Sequence, residues 1–320
     1  MPPLELNQGV FTLSIDFELI WGTLDLFGPE RFRAACTLER EVIVDRLLDL
    51  LAEFEITATW CVVGHLFLDR CEGRHQEIVR PSHSWLHGDW FEHDPGSDLE
   101  RDPIFYGRDL VEKILACRVP QEVGSHSFSH VIFGDPGCSR ATAESELTAC
   151  VGLARERGLQ LRSFVFPRNL VGHLEVLRAY GFDCYRGPEP HWYERWNLPG
   201  TVKRLAHLWD VMVAAQPPVV LPEYSSAGLW NIPGSMIYFP MHGMRRYIPL
   251  GQRITRARKG LEAAAQQNRI FHLWFHPTNL ADETESMFAG LRAIFARVSE
   301  LRSAGRLQVR SMGALVGAER

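Results

Sequence analysis

The sequence predicts an α/β fold built around a mostly parallel β-sheet. Short apolar or β-branched runs alternate with longer amphipathic segments, which is the pattern of repeated strand–helix units. The chain has 320 residues, 46% of them hydrophobic, so it can bury a large core, and α/β barrels reach this size as one domain. Roughly six or seven such units fit a barrel or a doubly wound sheet, and periodicity alone does not separate the two.

Short runs rich in apolar, β-branched or aromatic residues predict the strands. The first, residues 10–16, ends in an acid, and the second, residues 57–63, is β-branched and aromatic. The other predicted strands are residues 122–125, 162–166, 182–185, 235–239, 269–275 and 307–310. Parallel strands present their carboxyl ends at one edge of the sheet, so the polar residues found there are the first candidates for a site.

Apolar residues at helical spacing predict the helices. In residues 39–54, for example, Leu47 and Leu50 fall on one face. The other predicted helices are residues 108–117, 141–157, 172–180, 201–213, 252–267 and 283–304. Asp282 and Glu285 stand where an N-cap and its reciprocal partner would begin the last of these helices.

Two regions lack this regularity. Residues 70–105 and 187–250 are broken by prolines and glycines, with one helix and one strand predicted in the second region. We therefore expect a single domain spanning residues 1–320, with long loop insertions near 70–105 and 187–250.

Composition and charge argue against several classes of protein. A net charge of −5 argues against nucleic acid as the main partner, because phosphate binding needs a basic face. No apolar stretch reaches the roughly 18 residues of a transmembrane helix, and the first residues lack the basic and apolar regions of a signal peptide. The seven cysteines are scattered without a Cys-x-x-Cys pair, so we expect reduced thiols in a cytoplasmic protein.

The end of the first strand carries two acids. Asp16 and Glu18 lie two residues apart in the sequence SIDFE, so their side chains leave an extended strand on the same side and can enter one cavity. One acid could hold a metal ion while the other moves protons. The alternative is a strand end that runs into a capped turn.

Two histidines follow the third strand. His126 and His130 are four residues apart, and in a helical turn that spacing puts both imidazoles on one face, where they can bind one metal ion. With Glu18 as third ligand, such a site keeps positions open for water and substrate, as catalytic metal sites do. The alternative is a pair of ordinary loop histidines.

Further candidates lie at later strand ends. Arg168 follows a strand and a proline and could keep a carboxylate ionised by a bidentate contact, although a surface position is the commoner fate of an arginine. His276 ends a buried strand and could protonate a leaving amine. His272, near the start of that strand, is expected to be structural and to lie toward the other end of the barrel. Trp192 and Trp230 could stack on sugar faces or pack over the core.

A competing cluster lies in residues 83–93. His83 and His87 are again four residues apart, with Asp89 and Glu92 nearby, so this segment could bind a metal ion of its own. Its setting in an insertion also fits a substrate lid or a solvated loop.

The order of these segments resembles the polysaccharide deacetylases, the NodB-homology family (carbohydrate esterase family 4). Residues 14–18 stand in the place of the first motif, and residues 126–130 match the second, H-S/T-x-x-H/S, without a gap. Residues 57–64 look like the second strand of the family, and Leu273 and His276 match its last motif. The resemblance covers nearly the whole chain.

Three features depart from the family pattern. The usual pair of adjacent aspartates is replaced by Asp16 and Glu18, spaced by one residue. The usual arginine position, two residues before the proline of the third motif, holds Val165, and Arg168 falls just after that proline. The fourth motif has no clear counterpart, and Asp183 is a candidate for the residue that orients His276.

The resemblance implies an irregular (β/α) barrel of about seven parallel strands that binds a divalent metal, most often zinc, with cobalt, nickel or manganese as other options. It implies removal of an N-acyl group, acetyl or formyl, from an amino sugar or small glycan intermediate. The implied roles are metal ligands Glu18, His126 and His130, base Asp16, acid His276, and Arg168 as the cation that keeps Asp16 ionised.

Three other interpretations remain open. The same site could hydrolyse another C–N amide, such as a cyclic imide or ureide. Two histidines and one carboxylate also describe non-haem iron oxygenases. A non-catalytic carbohydrate-binding relative is the third. The sequence does not reveal the sugar or the oligomeric state.

Overall fold

A curved, mostly parallel β-sheet forms the centre of the fold in the computed structural model, which describes residues 5–196 and 198–317. The strands are β1 (Gly9–Phe17), β2 (Thr59–Val62), β3 (Glu122–Ser125), β4 (Ser163–Val165), β5 (Cys184–Arg186), β6 (Glu223–Tyr224), β7 (Trp230–Asn231), β8 (Met236–Ile237), β9 (Ile270–Phe275) and β10 (Leu307–Val309). Their order is β6-β7-β5-β4-β3-β2-β1-β9-β8, and β10 pairs with the start of β1. Every pairing is parallel except β6 with β7.

The expected irregular (β/α) barrel is confirmed. Each predicted strand forms. Among the residues that the structure describes, seven strands are longer than two residues, the number expected. The short pair β6 and β7 lies within residues 187–250, where no strand was predicted before residue 235.

The sheet is surrounded by helices, most of them on its outer side. They are α1 (Leu24–Phe27), α2 (Arg33–Leu38), α3 (Val44–Glu53), α4 (Arg108–Leu115), α5 (Arg140–Glu156), α6 (Leu174–Ala179), α7 (Gly200–Met212), α8 (Leu250–Gln267), α9 (Thr284–Ser303) and α10 (Met312–Gly317). A π-helical turn, Glu39–Ile43, joins α2 to α3. No helix within residues 5–196 and 198–317 is long and apolar enough to cross a membrane.

The predicted cap of α9 is wrong. The helix begins after Glu283, which has a left-handed backbone (φ 54°), and no side chain caps it. Asp282 instead accepts a hydrogen bond from the His242 ring (3.0 Å), and Glu285 pairs with Arg46. Partners from distant parts of the chain therefore take both acids away from the helix end.

The strand alternation divides the sheet into two faces. On β1, Phe11, Leu13, Ile15 and Phe17 join the large core beneath the outer helices. Val10 belongs to a smaller apolar cluster on the opposite, inner face, where residues of several strands pack against α10. Apolar side chains thus fill the base of the inner face, and the polar residues of β1 follow on that face toward the carboxyl end.

The first insertion is a packed segment, although residues 68–107 form no helix or strand beyond an isolated bridge between Arg70 and Asp98. Trp90, Phe91 and Phe105 are buried in the main core. These anchors hold the segment against the strand ends that carry the candidate site.

Candidate active site

Two carboxylates stand at the carboxyl end of β1. Asp16 and Glu18 are buried, with 2% and 8% of their surfaces exposed, whereas Phe17 between them packs against Trp60 on the other face. Both carboxylates approach the His276 ring, since its Nε2 lies 3.7 Å from Asp16 Oδ2 and 3.4 Å from Glu18 Oε1. The two acids therefore share one cavity, as the strand alternation predicts.

Three imidazoles surround one oxygen of Glu18. Besides the His276 nitrogen at 3.4 Å, Glu18 Oε1 lies 2.8 Å from His126 Nε2 and 3.3 Å from His130 Nε2. These side chains come from β1, from the loop after β3 and from the end of β9. The structure thus brings together all three predicted metal ligands and the predicted acid.

The hydrogen bonds of His126 bear on whether the site can hold a metal ion. Its Nδ1 donates to the backbone carbonyl of Val165 at 2.7 Å, so in the neutral ring Nε2 carries a lone pair. That lone pair faces the carboxylate of Glu18 at 2.8 Å. Two acceptors can approach this closely only with a proton or a cation between them. A bonded Nδ1 and a free Nε2 are also the state of a metal-binding histidine, so the donor set fits a divalent metal ion.

The loop that carries both histidines is not helical, so the expected helical turn is wrong. Ser127 and His130 have left-handed backbones (φ 62° and 65°). The loop wraps around the buried carboxylate of Glu146, which accepts the backbone N–H groups of Phe128 and Ser129 at 2.8 Å and the Ser129 hydroxyl at 2.6 Å. Burial raises the pKa of Glu146, and these hydrogen bonds partly oppose that rise.

Arg186 holds Asp16. The buried guanidinium makes two parallel hydrogen bonds to the carboxylate, Nη1 to Oδ1 at 2.7 Å and Nη2 to Oδ2 at 2.6 Å. It also donates to Ser14 Oγ at 2.9 Å and lies 4.1 Å from the centre of the Trp274 ring. Burial alone would raise the pKa of Asp16, but the guanidinium, with smaller contributions from His126 and His276, holds that pKa below its ordinary value.

The expected contact of Arg168 with Asp16 is therefore wrong. Arg168 has a left-handed backbone (φ 54°), pairs with Asp25 and lies over the ring of Trp85. Arg186 was missed because the fifth strand was predicted to end one residue too early. The alternation of side chains along the strand could have indicated Arg186, because it lies two residues after Cys184 and so faces the same, inner side of the sheet.

The histidines of β9 lie on the inner face. Burial lowers the pKa of His276, but the carboxylates of Glu18 and Asp16 outweigh burial and raise it to about 9. His272 does not lie apart from the site as expected, because its Nε2 contacts Ser14 Oγ at 2.9 Å, and the same hydroxyl accepts a hydrogen bond from Arg186. Burial lowers the pKa of His272 to about 3, so this ring is neutral and supports the network.

Three other predicted site residues make contacts outside the group of carboxylates and imidazoles. Asp183, the candidate for orienting His276, precedes β5 and pairs with Arg162 at 2.6 Å and Arg178 at 3.5 Å. Trp230 is 6% exposed and belongs to the apolar cluster at the base of the inner face. Trp192 is 54% exposed, and its indole N–H donates to Asp210 at 2.9 Å.

The 83–93 segment supports the histidine loop. His83 is buried, and its Nδ1 bonds to Asp135 at 2.8 Å. The indole of Trp90 donates to the hydroxyl of Ser129 at 2.9 Å. Among the residues that the structure describes, this segment forms no metal-binding cluster by itself. Buried side chains therefore anchor the segment, whereas His87, Asp89 and Glu92 are exposed.

A cleft of about 580 Å³ opens beside the Glu18 carboxylate, large enough for a small organic ligand. Glu18 and His276 line it, together with residues of α2 and of the turn Pro277–Leu280. Arg31, His242 and Asp282 add polar groups. The cleft gives a substrate access to the Glu18 carboxylate and the His276 imidazole.

No protein-family model and no curated protein matches the sequence. Solved structures do match. A putative polysaccharide deacetylase from Mycobacterium smegmatis is 15% identical, with a TM-score of 0.65, over 100% of this chain and 94% of that one. A probable polysaccharide deacetylase from Pseudomonas aeruginosa PAO1 is 10% identical, with a TM-score of 0.58, over 96% and 89%. Puue allantoinase is 10% identical, with a TM-score of 0.58, over 96% and 88%. Such similarities show the fold.

Proposed function

From the polysaccharide deacetylase fold, which this chain has, we propose that the protein is a metal-dependent hydrolase of carbon–nitrogen amide bonds. Its proposed substrate is an N-acetylated or N-formylated amino sugar, or a small glycan intermediate. One observation carries the proposal: the Glu18 carboxylate lies within 3.4 Å of three imidazole nitrogens, beside the second, ionised carboxylate of Asp16. Two of the similar structures are named as deacetylases.

Glu18, His126 and His130 would hold the metal ion, for which zinc is the first candidate because nitrogen ligands with one carboxylate suit it. When bound, such an ion lowers the pKa of water to near ~7 and polarises an acyl oxygen. Glu146 and Trp90 keep the histidine loop in place, so they would fix the ligand positions without touching the ion.

Asp16 is the proposed general base. Arg186 binds both of its oxygens, but each carboxylate oxygen has a further lone pair that can accept a proton from an attacking water. The guanidinium keeps Asp16 ionised in a buried site where an unpaired carboxyl would be protonated. A lower pKa makes Asp16 a weaker base, and it also keeps the base form present at acidic pH.

His276 is the proposed general acid. The neighbouring carboxylates raise the pKa of His276 to about 9, which favours the protonated ring at neutral pH. It lines the cleft, so its N–H can reach the nitrogen of a bound amide. Donation of this proton would let the amine leave when the acyl carbon–nitrogen bond breaks.

Metal content and hydrolysis together test these roles. We expect Glu18→Gln and His130→Ala to lose the metal ion. Asp16→Asn and His276→Ala should keep it and lose about 10²- to 10⁴-fold in rate, the usual share of general acid–base catalysis. Elemental analysis and acetate release from N-acetylated amino sugars provide the two readouts. Normal turnover in both Asp16→Asn and Glu18→Gln would contradict the proposal.

A second candidate is hydrolysis of a cyclic amide. One similar structure is named as an allantoinase, at the same TM-score as one of the deacetylases. Parallel assays with N-acetylated sugars and with cyclic ureides separate the two substrates. Full activity of the zinc protein without oxygen would exclude the iron oxygenase alternative. A cytoplasmic location and a single domain remain proposals.

A further inference from the structure

A second group of potential metal ligands lies between the turn Gly64–Phe67 and the first insertion, apart from the candidate active site. His65, Cys71, His75 and Asp94 each direct one ligand atom into the group, and these atoms all lie within 4.8 Å of one another. Asp94 Oδ2 lies 2.8 Å from His75 Nε2 and 3.4 Å from His65 Nε2. The Cys71 sulfur lies 3.5 Å from the same oxygen.

These separations fit a tetrahedral ion. Zinc bonds of about 2.0–2.3 Å place the ligand atoms of a tetrahedron about 3.3–3.8 Å apart. The distances from Asp94 Oδ2 to the His65 nitrogen and to the Cys71 sulfur fall within that range, and its distance to His75 is shorter. Two imidazoles, one thiolate and one carboxylate are all ligands that zinc accepts.

The surroundings of the group orient its members. His65 Nδ1 donates to the carbonyl of Phe105 at 3.1 Å, which leaves the lone pair of Nε2 directed into the group. This Nε2 is buried, and within the described residues it makes no hydrogen bond. Metal-binding histidines have this pattern, in which one ring nitrogen donates to the protein and the other binds the ion.

The thiol and the carboxylate have supporting partners too. The Tyr106 hydroxyl accepts the backbone N–H of Ser97 at 3.0 Å, so it can donate its own hydrogen to the Cys71 sulfur at 3.2 Å. The backbone N–H of Gly96 donates to Asp94 Oδ1 at 3.0 Å, which leaves Oδ2 for the group. Donors to sulfur and to the outer carboxylate oxygen stabilise the anionic forms that bind metals.

We propose that His65, Cys71, His75 and Asp94 form a second, structural metal site that binds zinc. Four protein ligands close the coordination sphere, which separates a structural site from a catalytic one with an open position. The ion would tie the turn Gly64–Phe67 to residues 71–94 of an insertion that has no helix or strand to hold it.

The site also lies behind the candidate active site. The backbone N–H of His65 donates to the backbone carbonyl of Phe128 at 2.8 Å, and the rings of His65 and His75 pack against the Phe128 ring. The Trp21 ring packs against the His65 ring, and the backbone N–H of Trp21 donates to the carbonyl of Glu18 at 3.1 Å. Loss of the second ion should therefore weaken metal binding at the first site by about 10- to 100-fold, the usual effect of losing support behind metal ligands.

Cobalt substitution tests the proposal on the full chain. Cobalt bound to a thiolate absorbs in the near ultraviolet, and none of the ligands proposed for the active site is a cysteine. We expect this band in the wild-type protein and in Cys117→Ser, a matched control at another half-buried free cysteine. Cys71→Ser should lack the band. Absence of the band from the wild-type protein, or its persistence in Cys71→Ser, would overturn the second site.

Two further measurements test the second site without Cys71→Ser and separate it from the proposed active site. In the wild-type protein, a chelator should release zinc and make one more thiol reactive toward a disulfide reagent, and unchanged thiol reactivity would overturn the proposal without any variant. Glu18→Gln should lose the active-site ion and keep the cobalt–thiolate band. Lack of hydrolase activity in the wild-type protein, with the band intact, would count against the proposed function alone, so the two proposals fail separately.

Discussion

Replacement of Arg186 by methionine removes the cation that neutralises Asp16 and keeps a side chain of similar length. Asp16 is 2% exposed and would lose both of its charge-assisted hydrogen bonds. Leaving one member of a buried ion pair without its partner costs about 3–5 kcal/mol, a large part of the roughly 5–15 kcal/mol that stabilises a domain. We expect a loss of this size in urea-induced unfolding followed by tryptophan fluorescence.

Two controls separate the charge of Asp16 from general damage. Arg168→Met removes the arginine that the sequence predicted as the partner of Asp16. Arg168 pairs with Asp25 instead and its side chain is 29% exposed, so we expect a smaller loss of stability, about 1–2 kcal/mol. The double variant Arg186→Met/Asp16→Asn should be more stable than Arg186→Met, because no unpaired charge remains buried. Equal losses in Arg186→Met and Arg168→Met, or no recovery in the double variant, would refute this reasoning.

The same substitution changes the pH dependence of catalysis. Without the guanidinium, burial dominates and the pKa of Asp16 rises. A base works in its ionised form, so the acidic limb of kcat/KM should move to higher pH in Arg186→Met and stay in place in Arg168→Met. An unmoved limb in Arg186→Met would show that Asp16 is not the base.

Three other substitutions give further tests. Burial raises the pKa of Glu39 well above its ordinary value of 4.5, so the wild-type protein should lose up to about 1.4 kcal/mol of stability per pH unit as the pH rises above 4.5. Glu39→Gln should lack this slope in thermal unfolding across pH 4–8. Parallel curves for the two proteins would contradict the prediction. Glu146→Ala leaves two buried N–H groups of the 126–130 loop unpaired and should lower metal affinity about 10- to 100-fold in a chelator competition. Glu146→Gln keeps an acceptor and should keep most of the affinity. Equal affinities of the two variants would count against a role of this contact in positioning the loop. Trp230→Ala should lower the free energy of unfolding by about 3–5 kcal/mol and leave KM unchanged, whereas Trp192→Ala should lower it by less than about 0.5 kcal/mol. A raised KM in either variant would support a contact between that tryptophan and the sugar.

The parts of the site that the sequence predicted depend on local rules. Asp16 and Glu18 share a cavity because residues two apart on a strand face one side, and that side is the inner one. His276 joins them because it directly follows β9, the parallel neighbour of β1. Periodicity and the order of the motifs were sufficient for these placements.

Most of the errors involve partners distant in sequence. Glu146 pulls the 126–130 loop out of the expected helical turn, and Arg46 takes Glu285 from the end of α9. Local patterns contain no information on which distant group satisfies a polar atom. Folding selects that partner by burial, because a buried polar group without a hydrogen bond is costly.

The sequence by itself determined the alternation of strands and helices, the face on which the acids lie, and the chemical types that meet at the strand ends. Only the tertiary structure decided that Arg186 and not Arg168 meets Asp16, and that Cys71 and Asp94 converge with two histidines. Each of these contacts joins positions that lie far apart along the chain or within a segment without regular structure. Their strength comes from exclusion of water, which is a property of the folded core and not of any short stretch of sequence.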